Sequence, residues 1–115
     1  MTVFPVYGDL KMKYTMFITS LFAFAFGCGP SDRALSISDL EGEVTSGSAL
    51  YMTECAQCHG ANAQGGAGPN LINAFNHHDD VELIEVILEG DGSMPSFSRL
   101  KDQDIADILA FINTL

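Results

Sequence analysis

The chain has 115 residues, enough for one small domain plus a leader, so a second catalytic domain is excluded. Fifteen acidic residues face five basic ones, for a net charge of −10, and two of the cations, Lys11 and Lys13, lie close to the start. That balance argues against binding to nucleic acid or to an anionic membrane face, and it suits a partner with a positive docking surface; solubility alone would also account for it.

The first element in chain order is apolar. In "KMKYTMFITSLFAFAFGCGP" two lysines precede a run from Met16 to Phe26, followed by Gly27 and Cys28. The run is shorter than the roughly 20 residues that span a bilayer, and its order of charge, apolar stretch and small residues is that of an export signal. Residues 1–27 therefore read as a signal peptide, and a start at Met12 gives a tidier one. A buried helix of the domain is the bland alternative. "AFGC" resembles the bacterial lipoprotein signal, which implies that Cys28 is acylated and holds the protein to the membrane; cleavage after Ala25 competes with this. Cysteine counting supports the anchor, because pairing Cys55 with Cys58 in function leaves Cys28 over.

Residues 28–45 then read as a lipidated N-terminus and flexible tether, reaching roughly 20 to 25 Å by the square-root rule for unstructured chains. A short strand or helix around Leu35 to Leu40 is the alternative. From residue 46 to 115 the pattern is that of a folded domain. Ser46 can cap a helix through "GSALYMTEC" that delivers Cys55 at its end. The glycine-rich "GANAQGGAGPN" is a loop long enough to wrap something. Asp79 stands three residues before Glu82 in capping-box register, and Val81, Ile84 and Leu88 mark a helix that stops at Gly90. After "DGSMPSFSRL", Ile105, Ile108, Leu109, Ile112 and Leu115 recur at helical spacing. The expectation is an all-α domain of three main helices and long loops, which implies a large ligand in the core.

"ECAQCHG" says which ligand. Zinc needs four donors, and the adjacent His77 and His78 are poorly placed to converge on one tetrahedral ion. A redox dithiol of the thioredoxin kind belongs in a strand-helix-strand setting that is missing here. Cys-x-x-Cys-His is the attachment signal of c-type haem: two thiols for the two vinyl groups of one porphyrin and an imidazole for its iron.

Residues 46–115 resemble a small class I cytochrome c. Gly47 and Tyr51 lie eight and four residues before Cys55, and Ile108 and Phe111 lie three apart in the last helix, as in that family. "GPNL" at 68–71 resembles the loop whose proline carbonyl holds the proximal histidine. The resemblance implies one covalently attached haem c on Cys55 and Cys58, with His59 as an axial ligand oriented by Pro69. Met94, in "GSMPSF", is the expected sixth ligand, set between Gly92 and Pro95 and followed by Phe97; a core methionine, or competition from His77 or His78, are the alternatives. With both axial positions filled there is no small-molecule substrate, and the implied function is single-electron transfer between a quinol-oxidising complex or dehydrogenase and an oxidase-type acceptor, on the periplasmic side. A haem subunit of a dehydrogenase complex and a gas-binding sensor remain as other classes. Asp79, Asp80, Glu82, Glu85 and Asp91 are the acidic side chains expected to steer a basic partner.

Overall fold

A computed structural model describes residues 29–115. Five α-helices, α1 (Asp32–Ser38), α2 (Val44–Glu54), α3 (Ala56–His59), α4 (Asp80–Glu89) and α5 (Asp102–Ile112), and a 3-10 turn (Ala74–Asn76) make up the regular structure. The described residues contain no strand, only an isolated bridge between Asp91 and Met94, and none of their helices is long and apolar enough to cross a membrane.

All three expected helices form, two of them for the expected local reason. In α4 the Asp79 carboxylate accepts the Glu82 N–H at 2.8 Å, Ile84 and Leu88 turn inward one helical turn apart, and Gly90 ends the helix at φ +80°. In α5, Ile105, Ile108, Leu109 and Ile112 form one buried stripe. The stripe packs across α2, where Gly47 and Tyr51 are buried. Gly47 lies against the backbone of Asp107 and Ile108, and a Cβ there would overlap the Asp107 carbonyl. Beside the crossing, the Tyr51 and Phe111 rings meet at 5.2 Å between centroids, and the Tyr51 hydroxyl donates to the Gly60 carbonyl at 2.8 Å.

Two expectations are corrected. First, α2 starts at Val44 rather than at Ser46, with Glu43 as its N-terminal flanking residue. The reason lies on α5: the carboxylate of Asp107, 7% exposed, accepts the Glu43 N–H at 2.8 Å and the Gln103 side-chain amide at 2.9 Å. A remote acid thus fixes the helix start in place of a local serine.

Second, residues 31–45 are not a flexible tether. Ser31 caps α1, accepting the Ala34 N–H at 3.2 Å, and Ala34 and Ile37 are buried against α4 and α5. Arg33 clamps the helix down: its Nε donates to Asp102 Oδ1 at 2.9 Å, and its other nitrogens reach the carbonyls of Ser98 at 2.9 Å and Leu100 at 2.8 Å. The Ser31 N–H is taken by the Glu85 carboxylate. Burying an isoleucine completely contributes roughly 1.5–3 kcal/mol, enough to hold a seven-residue helix that has little stability alone. Cys28 and the leader lie outside the described residues.

Candidate functional site

The site is built from the end of α2 onward. Cys55 is the residue that closes α2, its N–H bonded to the Tyr51 carbonyl at 2.8 Å, and the chain goes straight into the single turn of α3. Cys58 and His59 both donate their N–H groups to the Cys55 carbonyl, at 3.1 and 3.0 Å. Gly60, at φ +85°, ends the turn. Both thiols are free, Cys55 half-buried and Cys58 exposed. Burial, aided by the Glu54 carboxylate and Cys58, pushes the Cys55 thiol up to about 11, so at neutral pH it is an uncharged thiol against the apolar wall.

His59 is buried at 7% exposure, and its Nδ1 lies 2.8 Å from the Pro69 carbonyl oxygen. A carbonyl can only accept, so Nδ1 carries the proton and Nε2 keeps its lone pair. The glycine-rich loop makes this contact: Gly68 donates to the Cys58 carbonyl at 2.8 Å and Leu71 to that of Ala63 at 2.9 Å, folding residues 60–71 back over α3. At Gly68 a side chain would press on the imidazole, since a Cβ there would lie 2.9 Å from its Cε1. Gly68 was not singled out in the sequence; its signal was the step before Pro69.

Met94 sits on a tight loop. Its N–H donates to the Asp91 carbonyl at 2.8 Å, and the Ser96 hydroxyl and Phe97 N–H tie the loop to α4 through the Leu88 and Ile87 carbonyls at 2.5 and 2.9 Å. Gly90 leaves room for the returning backbone of Met94 and Pro95.

These pieces converge. A cavity of about 420 Å³ is lined by Cys55, His59, Pro69 and Met94 together with apolar side chains of the loop, α4 and α5, among them Leu71, Ile87, Ile108 and Leu109. Cys58 lies on the exposed side of the same turn. Of the expected site residues, only Cys28 falls outside the described part. His77 and His78 also line the cavity. No group of three or more His, Cys, Asp or Glu side chains is assembled to hold an ion directly among the described residues, so the zinc alternative finds no donor cluster. An apolar slot with two thiols at its edge, one imidazole with a free Nε2 and one thioether is the donor set of a covalently held iron porphyrin.

Comparison with known proteins agrees. The family model described as cytochrome c oxidase, cbb3-type, subunit III matches residues 42–112. Cytochrome c-551 of Bacillus subtilis is 29% identical over 104 residues, covering 87% of this chain and 91% of the relative. A cytochrome c-553-like protein of Synechocystis is 32% identical over 77 residues, covering 66% and 72%. Among solved structures, cytochrome CL of Methylophaga aminisulfidivorans superposes with a TM-score of 0.55 at 30% identity, over 62% of this chain and 53% of that one, so this chain spans about half the length of that protein. The matched region begins at residue 42, before the Cys-x-x-Cys-His signal and the helix crossing, and ends within α5 after both. The chain belongs to the c-type cytochromes, as a small class I member whose cofactor is one covalently attached haem c.

Proposed function

We propose that this protein is an electron carrier rather than an enzyme, taking one electron at a time from a quinol-oxidising complex or dehydrogenase and giving it to an oxidase-type acceptor. The observation that carries the reading is that His59 and Met94 line one cavity, where an imidazole and a thioether would hold the haem iron and close it to a substrate. Haem c, when bound, supplies an iron that cycles between two oxidation states by one electron. The residues do the rest. Cys55 and Cys58 hold the group covalently, and the Pro69 carbonyl fixes the His59 ring and raises the basicity of Nε2. The Met94 thioether favours the reduced state, and the apolar side chains of α4 and α5 keep water from the centre. The match to a cbb3-type oxidase subunit supports the oxidase-type acceptor.

Reducing the holoprotein with dithionite and adding carbon monoxide tests this. Sharp haem bands unchanged by carbon monoxide are the expected result. Bands that shift would mean an open sixth position and a gas-binding role.

The site of action we infer is the outer face of the membrane, with acylated Cys28 as anchor. Cys28 lies three residues before Ser31, whose N–H is held by Glu85. Three extended residues reach about 10 Å, so an anchor there holds the domain much closer to the bilayer than a long tether does. The acidic side chains Asp79, Asp80, Glu82 and Glu85 on and before α4, with Asp91, suit a partner with a basic docking surface. Replacing Cys28 by serine is expected to move the protein from the membrane pellet to the soluble fraction; unchanged sedimentation would remove the anchor from the proposal.

A further inference from the structure

The loop that carries Met94 runs on to α5 through residues 96–101, and two arginines tie this strap to other parts of the fold. Arg33 reaches it from α1. It donates to the Ser98 carbonyl at 2.9 Å, to the Leu100 carbonyl at 2.8 Å and to Asp102 Oδ1 at 2.9 Å, so one planar guanidinium takes every second residue from 98 to 102. Arg99 reaches out from the strap itself. Its Nη2 donates to Glu54 Oε2 at 2.5 Å, while its guanidinium carbon lies 5.5 Å from the centre of the Phe97 ring. Glu54 is the last residue of α2 and directly precedes Cys55.

Met94 needs such ties. On the side that precedes it the loop has little support beyond the two backbone bonds between Asp91 and Met94: Asp91, Gly92 and Ser93 are exposed, and Gly92, at φ +55°, has nothing within 4 Å of the place a side chain would take. Restraint must come from the residues that follow. Ser96 and Phe97 fasten the strap to α4, and the two arginines fasten it to α1 and to the end of α2. A thioether is a neutral and weak donor, so how well it stays on a metal depends on how tightly the surrounding structure holds it in place. The Arg33 tie comes from α1, which lies before residue 42, where the family match begins.

We propose that Arg33 and Arg99 are positioning residues for the sixth ligand: they bind the strap behind Met94 to α1 and to the helix end that carries Cys55, and so keep the thioether on the iron. This rests on the reading of Met94 as that ligand. Added imidazole reaches the iron of the oxidised protein only when Met94 is off, so its apparent dissociation constant falls as the open fraction rises. Arg33 is half-buried and makes three charge-assisted bonds, whereas Arg99 is exposed and makes one ion pair. Loss of the first is expected to raise the open fraction about tenfold, and loss of the second about threefold.

The test is an imidazole titration of the oxidised holoprotein, followed by the iron–sulfur absorption, beside a thermal melt. It uses the natural chain, Arg33→Lys, Arg99→Gln and the double variant. Arg33→Lys keeps the charge and removes the fork, so what it loses is geometry. Gln103→Ala is the control: it gives up bonds to the Glu41 carbonyl at 2.8 Å and to Asp107 at 2.9 Å, and Gln103 bonds to no residue of the strap. The arginine variants are expected to keep their haem bands and to bind imidazole about ten and about three times more tightly, the double variant more tightly than either, and the control as the natural protein does. Arginine variants that melt lower yet bind imidazole as the natural protein does would show that the two residues support only the fold. A control that gains as much affinity as the arginine variants would show that any loosening opens the loop. Either result overturns the inference and leaves Met94 in place. A natural protein that lacks the iron–sulfur absorption overturns the Met94 reading and this inference with it.

Discussion

Replacing Met94 by alanine is expected to turn a protein inert to carbon monoxide into one that binds it when reduced, and to lower the reduction potential by on the order of 0.1–0.3 V, a fraction of the roughly 0.8 V that axial ligands span. The loop should survive the change. Its shape depends on backbone bonds between Met94 and Asp91 and on the Ser96 and Phe97 ties to α4, none of which uses the thioether. On the proposed assignment, the change removes the sixth ligand and spares the support of the fold. Met94→His separates two effects: an imidazole closes the sixth position again but favours the reduced state less, so carbon monoxide should be excluded while the potential stays low. A Met94→Ala protein that ignores carbon monoxide and keeps its potential would show that another side chain, with His77 and His78 the candidates in the cavity wall, is the sixth ligand.

The same loop shows why the candidate site was legible as local pattern when part of the fold was not. Cys55, Cys58 and His59 are bound to one another by spacing along five residues, and Met94 sits between a glycine and a proline that bend its loop; these are local signals. Tyr51 and Phe111 carried a family resemblance, and their rings do meet. The helix α1 was raised only as the alternative around Leu35 to Leu40, because its signal is weak. Ala34 and Ile37 are single apolar residues in a polar stretch, and what buries them is a surface of α4 and α5 that exists only after folding. Arg33 finds its three acceptors 65 to 69 residues away. Asp107 misleads in the same way: an acid on a helix normally marks the solvated face, yet here it is buried because Glu43 and Gln103 supply its partners. His77 and His78, weighed in the sequence as competitors of Met94, are exposed; only the three-dimensional path of the loop after Leu71 brings them to the cavity wall.

Gly47→Val is expected to lower the thermal midpoint of the holoprotein by about 12–24 °C, from a destabilisation of roughly 3 kcal/mol at 4–8 °C per kcal/mol for a domain of this size. The first added carbon meets the carbonyl of Asp107 and lies 3.1 Å from the Ile108 nitrogen. These are backbone atoms inside a hydrogen-bonded helix and cannot swing aside as a side-chain end can, so α2 and α5 must separate. Alanine at the same position improves helix propensity by about 1 kcal/mol, which is smaller than the clash, and should still destabilise. The damage will not stay at the crossing. Ile108 is both a crossing residue and a wall of the cavity, and α2 runs directly into Cys55. Moving the helices apart therefore shifts a covalent attachment point relative to the apolar wall it faces, and the tie between the Tyr51 hydroxyl and Gly60, just beyond His59, goes with it. Loosened attachment of Met94 in the oxidised protein should accompany the lower melting point, read as a weakened iron–sulfur absorption. A variant that melts within a few degrees of the natural protein and keeps that absorption would mean that the helices meet at another point, and that the small residue at 47 has no part in setting the haem site.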